Sequence, residues 1–134
     1  MIVYREFSVE ELPQVLKLYE NAGWTAYLGD TEQLERALRN SLCVIGAFDG
    51  PCLAGFVRCV GDGEHILYVQ DLIVDPPYKR RGIGGVLLRG ARERYAGVRM
   101  FCLSTDAVDP DSNSFYAAMD MKRYETAGIA GYLW

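Results

Sequence analysis

The sequence predicts an α/β (α+β) fold on a mixed, mostly antiparallel sheet, and three observations predict it. Apolar stretches at 42–48, 53–60 and 65–74 are separated by the turn signals Asp49-Gly50 and Gly61-Asp62-Gly63, the pattern of an antiparallel meander. The last stretch runs through Pro76-Pro77, a basic triplet and a glycine-rich turn into the helix-compatible apolar run Val86, Leu87, Leu88 and Ala91. A further strand signal at 99–104 follows, returned beside the long strand by that helical crossover.

Taken in order, residues 2–7 read as a first strand. Ser8 with Glu11 has the form of a capping box and opens a helix through about Asn21, with Leu12, Val15, Leu16 and Tyr19 on one face. Pro13 lies slightly inside that helix and argues for a later start, and Gly23 is its stop. Trp24 to Gly29 is an aromatic segment bracketed by glycines. Asp30 and Gln33 suggest a second capping box, with Leu34, Ala37 and Leu38 turned inward. The helix after the glycine turn runs from about Gly82 to Tyr95, a short helix covers 112–119, and residues 128–134 read as a last strand. The expected order is β-α-α-β-β-β-α-β-α-β, in one domain over residues 1–134.

Composition narrows the function classes. The chain has 134 residues, half of them hydrophobic, and a formal charge of −4, so the cations at 79–81 are a local feature and a general nucleic-acid binder is not expected. The N-terminal residues lack the apolar run of a signal peptide and no stretch has transmembrane length, which points to a cytoplasmic protein without membrane contact. Cys43, Cys52, Cys59 and Cys102 lie far apart with only His65 as an imidazole partner. Buried, reduced thiols and no metal are the expectation.

The chemistry is concentrated in residues 70–88. Leu72-Ile73-Val74 is a strand that the tandem prolines must end, because proline cannot donate to a sheet ladder. Lys79-Arg80-Arg81 and Gly82-Ile83-Gly84-Gly85 then lead into the helix. The first turn of a helix has N–H groups without partners and partial positive charge, and glycines let a bulky anion reach them. The device reads as a pyrophosphate cradle. It is not a P-loop, since Gly84-Gly85-Val86 stands where Gly-Lys-Ser/Thr would be needed, and Leu87 occupies the third-glycine place of a dinucleotide fingerprint.

The whole phrase resembles the acetyl-CoA-binding motif of the GNAT N-acetyltransferase superfamily, Gln/Arg-x-x-Gly-x-Gly/Ala, in Lys79-Arg80-Arg81-Gly82-Ile83-Gly84. Lys79 in the Gln/Arg place is the one departure. The order of elements matches that family nearly end to end, which implies helices on both faces of the sheet. The resemblance implies that backbone groups of Leu72, Ile73 and Val74 hold the pantetheine arm like an added strand. It further implies that amides from Arg81 through Val86 take the pyrophosphate, and that an N–H near Ile73 faces the thioester oxygen.

In Ser114-Phe115-Tyr116 the resemblance makes Tyr116 the general acid for the thiolate, a phenol being protonated at neutral pH; a core tyrosine is the alternative. Asn113 would help to hold CoA. Asp71 is the candidate general base beside Gln70, with only one of these neighbours able to face the cleft on a regular strand; water-mediated deprotonation is the alternative. Trp24 and Tyr27 fall in the region lining the acceptor pocket, or form a small aromatic core. Met119-Asp120-Met121 replaces the family's Leu-Gly-Phe. The reading is direct acetyl transfer to a primary amine of a small molecule. A protein amine, or a CoA-binding sensor without catalysis, are the rivals, and a homodimer is left open.

Overall fold

The computed structural model describes residues 1–134, and its contacts divide into two compact units, Met1–Leu103 and Ser104–Trp134. The first unit holds a five-stranded sheet in the order β1-β2-β3-β4-β5. Its strands are β1 (Ile2–Glu6), β2 (Cys43–Asp49), β3 (Cys52–Gly61), β4 (Ile66–Val74) and β5 (Met100–Leu103). The first four pair antiparallel and β5 joins β4 in parallel, as the helical crossover requires. The helices are α1 (Leu12–Ala22), α2 (Thr31–Arg39) and α3 (Ile83–Arg94). No helix is long and apolar enough to cross a membrane.

The helices cover both faces. Val15, Leu18 and Tyr19 of α1 and Leu34 and Leu38 of α2 form one core with Phe7, Val44, Phe48, Phe56 and Ile73. Phe56 is fully buried, with its ring edge-on to Phe7 and Tyr19 at centroid distances of 5.9 and 5.8 Å. Such pairs add ~0.5–1.5 kcal/mol to the burial of the rings. The apolar stripe of α3, Ile83, Leu87, Leu88 and Ala91, is buried on the other face, where Ile45 of β2 reaches Gly90.

Local signals decide the element ends, with two corrections. Asp30 caps α2 as expected, its Oδ1 accepting from the Gln33 amide at 2.9 Å, and Asp62 accepts from the amides of Glu64, His65 and Ile66 to shape the turn before β4. The Ser8–Glu11 capping box does not form. The Ser8 amide donates to Glu10, Glu11 accepts from Gln14, and α1 starts at Leu12 with Pro13 in its first turn, where a missing N–H costs nothing. The expected strand at 128–134 is also absent. Tyr124–Ala127 is a single 3₁₀ turn, after which Tyr132, Leu133 and Trp134 are fully exposed and pair with no strand. A strand needs a partner edge, and an apolar run alone does not supply one.

The second unit contains α4 (Pro110–Ala118), capped by Asp109, whose carboxylate accepts from the Asp111 amide and the Ser112 hydroxyl.

Candidate active site

The site in the first unit is built on a break in β4. Arg58 pairs with Asp71 and Cys59 with Val69, so Gln70 is an extra residue, a β-bulge. On a regular strand Gln70 and Asp71 would face opposite sides; the bulge brings both to one phenol. Asp71 Oδ1 accepts from Tyr27 Oη at 2.9 Å, and Gln70 Nε2 donates to the same Tyr27 oxygen at 2.9 Å. Asp71 Oδ2 accepts from Arg58 Nε at 2.7 Å and Tyr19 Oη at 2.9 Å.

Asp71 and Arg58 are the buried charges of this network, 2% and 4% exposed, and they neutralise each other. The expectation of Asp71 as a free general base is therefore corrected. A carboxylate sealed from solvent, ion-paired and accepting three hydrogen bonds is an anchor for other groups. Arg58 also donates to the Ser41 hydroxyl at 3.3 Å. Burial pushes the Tyr19 phenol far up and raises that of Tyr27, where the Asp71 carboxylate adds to the effect, so both stay protonated.

Trp24 stacks on Tyr19 at 6.1 Å, and Tyr19 packs against Tyr27 at 4.8 Å, a small aromatic cluster. Tyr27 also lines an open cleft of about 300 Å³ with Gln33, Leu34 and Ala37. This is the low end of small-molecule pockets.

Pairing between β4 and β5 ends at Val69–Leu103, so Leu72, Ile73 and Val74 are paired to β3 on one side and have no strand on the other. That free edge is what an extended ligand arm needs. The turn beyond is pinned at three points. The Asp75 amide donates to the Ala54 carbonyl, Asn21 donates to the Asp75 carboxylate, and Tyr78 Oη donates to Asp49 at 2.7 Å. Arg81 lies over the Tyr78 ring.

Arg80 and Gly82 take left-handed backbone conformations, with φ of 66° and 78°, and open space surrounds the Gly82 α-carbon. The amides of Arg81 through Gly85 have no backbone acceptor, which suits an anion. Val86 departs from expectation: its amide closes the first turn of α3 on the Gly82 carbonyl, so it is not available to a ligand. Lys79, Arg80 and Arg81 are exposed. The Arg89 guanidinium, not anticipated from sequence, lies against Gly85.

In the second unit Tyr116 is half-buried in the last turn of α4, edge-on to Phe115 at 5.1 Å, and burial raises its pKa. Asn113 is tied into its own unit, its Nδ2 donating to the carbonyls of Asp106 and Asp109. Asp120 takes a left-handed conformation, φ 63°. The Met121 amide bonds the Tyr116 carbonyl and the Asp120 amide that of Ala117, a Schellman stop. The departure from Leu-Gly-Phe leaves the turn intact.

Comparison with known proteins decides the family. Residues 9–121 match the family model described as Acetyltransferase (GNAT) family. The chain belongs to the GNAT family of acetyltransferases. An acetyltransferase of this family from Streptococcus pneumoniae is 36% identical, with a TM-score of 0.88 over 100% of this chain and 97% of that one. An uncharacterized N-acetyltransferase of Prochlorococcus marinus is 28% identical over 85% of this chain, which spans 64% of that relative's length. A soil-metagenome aminoglycoside acetyltransferase solved with sisomicin has the same fold, with a TM-score of 0.77 and 19% identity over 99% of this chain and 95% of that one.

Proposed function

We propose that this GNAT chain is an N-acetyltransferase of the cytoplasm that moves acetyl from acetyl-CoA directly to a primary amine of a small molecule, residues 1–134 acting as one catalytic domain. The observation that carries the reading is the coupling of a free β4 edge at 72–74 to an anion-ready turn at 81–85. Acetyl-CoA, when bound, supplies the activated acetyl group as a thioester. Leu72, Ile73 and Val74 would hold the arm by their backbone, and Lys79, Arg80, Arg81, Gly82, Ile83, Gly84 and Gly85 would hold the pyrophosphate by charge and amides. A backbone N–H near Ile73 would polarise the thioester carbonyl.

Tyr116 is the proposed general acid, its raised pKa keeping the proton in place until a thiolate takes it. With Asp71 anchored, the amine proton leaves through water. Direct transfer is supported by the thiols: burial pushes Cys43 up to about 11 and Cys59 up to about 12, which keeps them from acting as nucleophiles. Cys52 is exposed, against the expectation of burial, and sits at the start of β3. The cleft size and the sisomicin complex of the similar fold favour a small amine over a protein amine. The test is a panel of small primary amines and lysine peptides with acetyl-CoA, followed by release of CoA thiol. Turnover on small amines above peptides is expected; preference for peptides, or no turnover with acetyl-CoA bound, would overturn the reading.

A further inference from the structure

The turn after β4 has little of its own to hold it. Pro76 and Pro77 bring no N–H, so the 3₁₀ turn Pro76–Tyr78 is closed by the Tyr78 amide on the Asp75 carbonyl at 2.8 Å and the Lys79 amide on the Pro76 carbonyl at 3.2 Å. Arg80 then holds a left-handed backbone, φ 66°, which a non-glycine residue keeps only where its surroundings impose it. Those surroundings include the sheet. Tyr78 Oη donates to Asp49 Oδ2 at 2.7 Å, and Asp49 ends β2 in register with Ile2 of β1 and Cys52 of β3. The bond to the carboxylate raises the Tyr78 pKa, so the phenol keeps its proton and the bond is intact at neutral pH.

The ring of this strut carries a cation. The Arg81 guanidinium lies 5.2 Å from the centre of the Tyr78 ring, and Arg81 is an exposed residue that begins the stretch of amides without backbone acceptors. A guanidinium is attracted to the face of an aromatic ring. A long exposed side chain otherwise loses rotamer freedom when a ligand immobilises it, and that loss weakens binding. A ring fixed at its far end by Asp49 gives the guanidinium its place beforehand. Its planar fork can then meet two phosphate oxygens at once.

We propose that Tyr78 and Asp49 are positioning residues for the anion site: Asp49 fixes the phenol, the ring fixes the Arg81 guanidinium, and Arg81 meets the diphosphate of the cofactor. The proposal rests on the acetyl-CoA reading of the turn and deepens it, because it ties part of the affinity to a carboxylate at the end of β2. The carboxylate acts as a hydrogen-bond acceptor here. Its negative charge brings no advantage to a site for anions.

The experiment is a calorimetric titration of the whole chain with acetyl-CoA at fixed salt, with Tm measured for each protein. Arg81→Gln should weaken binding by about tenfold, the scale of one charge-assisted hydrogen bond. Tyr78→Phe and Asp49→Ala should each weaken it by about three- to tenfold with Tm within a few degrees of wild type. Asp49→Asn, which keeps an acceptor for the phenol, should bind at least as tightly as wild type. The double variant Tyr78→Phe/Arg81→Gln should bind no more weakly than Arg81→Gln, because the strut acts through Arg81. Wild-type affinity in both Tyr78→Phe and Asp49→Ala overturns the proposal. So does a Tyr78→Phe loss that persists in full beside Arg81→Gln, or an Asp49→Asn variant as weak as Asp49→Ala. A wild type that does not bind acetyl-CoA removes the cofactor reading and this proposal with it, whereas tight wild-type binding that the variants leave unchanged removes this proposal alone.

Discussion

The two halves of the β4 strand-and-turn segment treat polar groups in opposite ways. Around Asp71, each carboxylate oxygen has a protein donor, and the charges are nearly sealed from solvent. Some ten residues on, the amides of Arg81 through Gly85 have no backbone acceptor and the side chains of Lys79, Arg80 and Arg81 stand in solvent. A satisfied buried network holds geometry, because any change leaves a desolvated group unpaired. An unsatisfied exposed one holds binding capacity, because a ligand gains what the chain itself has not used. The bulge at Gln70 marks where β4 changes from the first role towards the second.

The largest effect expected to break this contrast is in the buried half. Arg58→Met keeps bulk but leaves Asp71 charged and unpaired, which should cost about 3–5 kcal/mol. Thermal unfolding would show that as a Tm lower by roughly 10–20 °C; a Tm within a few degrees of wild type would mean that the pair is not an anchor. Next in size, Tyr116→Phe should lower kcat by about 10²-fold with acetyl-CoA affinity unchanged. The sign of its pKa shift matters here. A phenol raised above its ordinary value loses its proton only at still higher pH, so this group should give no alkaline limb in kcat below about pH 10. Pre-steady-state measurement, to show that chemistry is being read, checks both.

In the exposed half, Gly82→Asp puts a negative charge at the proposed pyrophosphate site and a side chain on a left-handed residue. Acetyl-CoA affinity should fall by about tenfold or more, with a stability cost of only ~1 kcal/mol. An equal loss of both would make the turn structural first. The smallest expected effect is a gain: Asp120→Gly relieves a left-handed non-glycine residue and should raise stability by about 1 kcal/mol, read as a Tm higher by a few degrees.

These regions were not equally legible in the sequence. The strand end and glycine turn at 74–85 were, because their devices are local: prolines end the strand, glycines open the turn, and cations flank it. The hairpin at Asp49-Gly50 and the turn at Asp62 were legible for the same reason. The network around Asp71 was not, since a bulge is a property of how β4 registers against β3, and the alternation of one strand cannot show it. One signal was available. Arg58 is the lone charge in the otherwise apolar run 53–60, and such a charge asks for a buried partner. Tyr19 was read as core and is core, but its hydroxyl reaches Asp71 across 52 positions of chain. The strand at 128–134 failed for the converse reason: its apolar pattern was local, and the partner edge it required was not.

The most direct test of the central claim is a calorimetric titration of the folded chain with acetyl-CoA, repeated at higher salt. Saturable one-site binding that weakens with salt and is impaired in Gly82→Asp is the result this account predicts. Absence of binding to properly folded protein, or binding that Gly82→Asp leaves untouched, would contradict it.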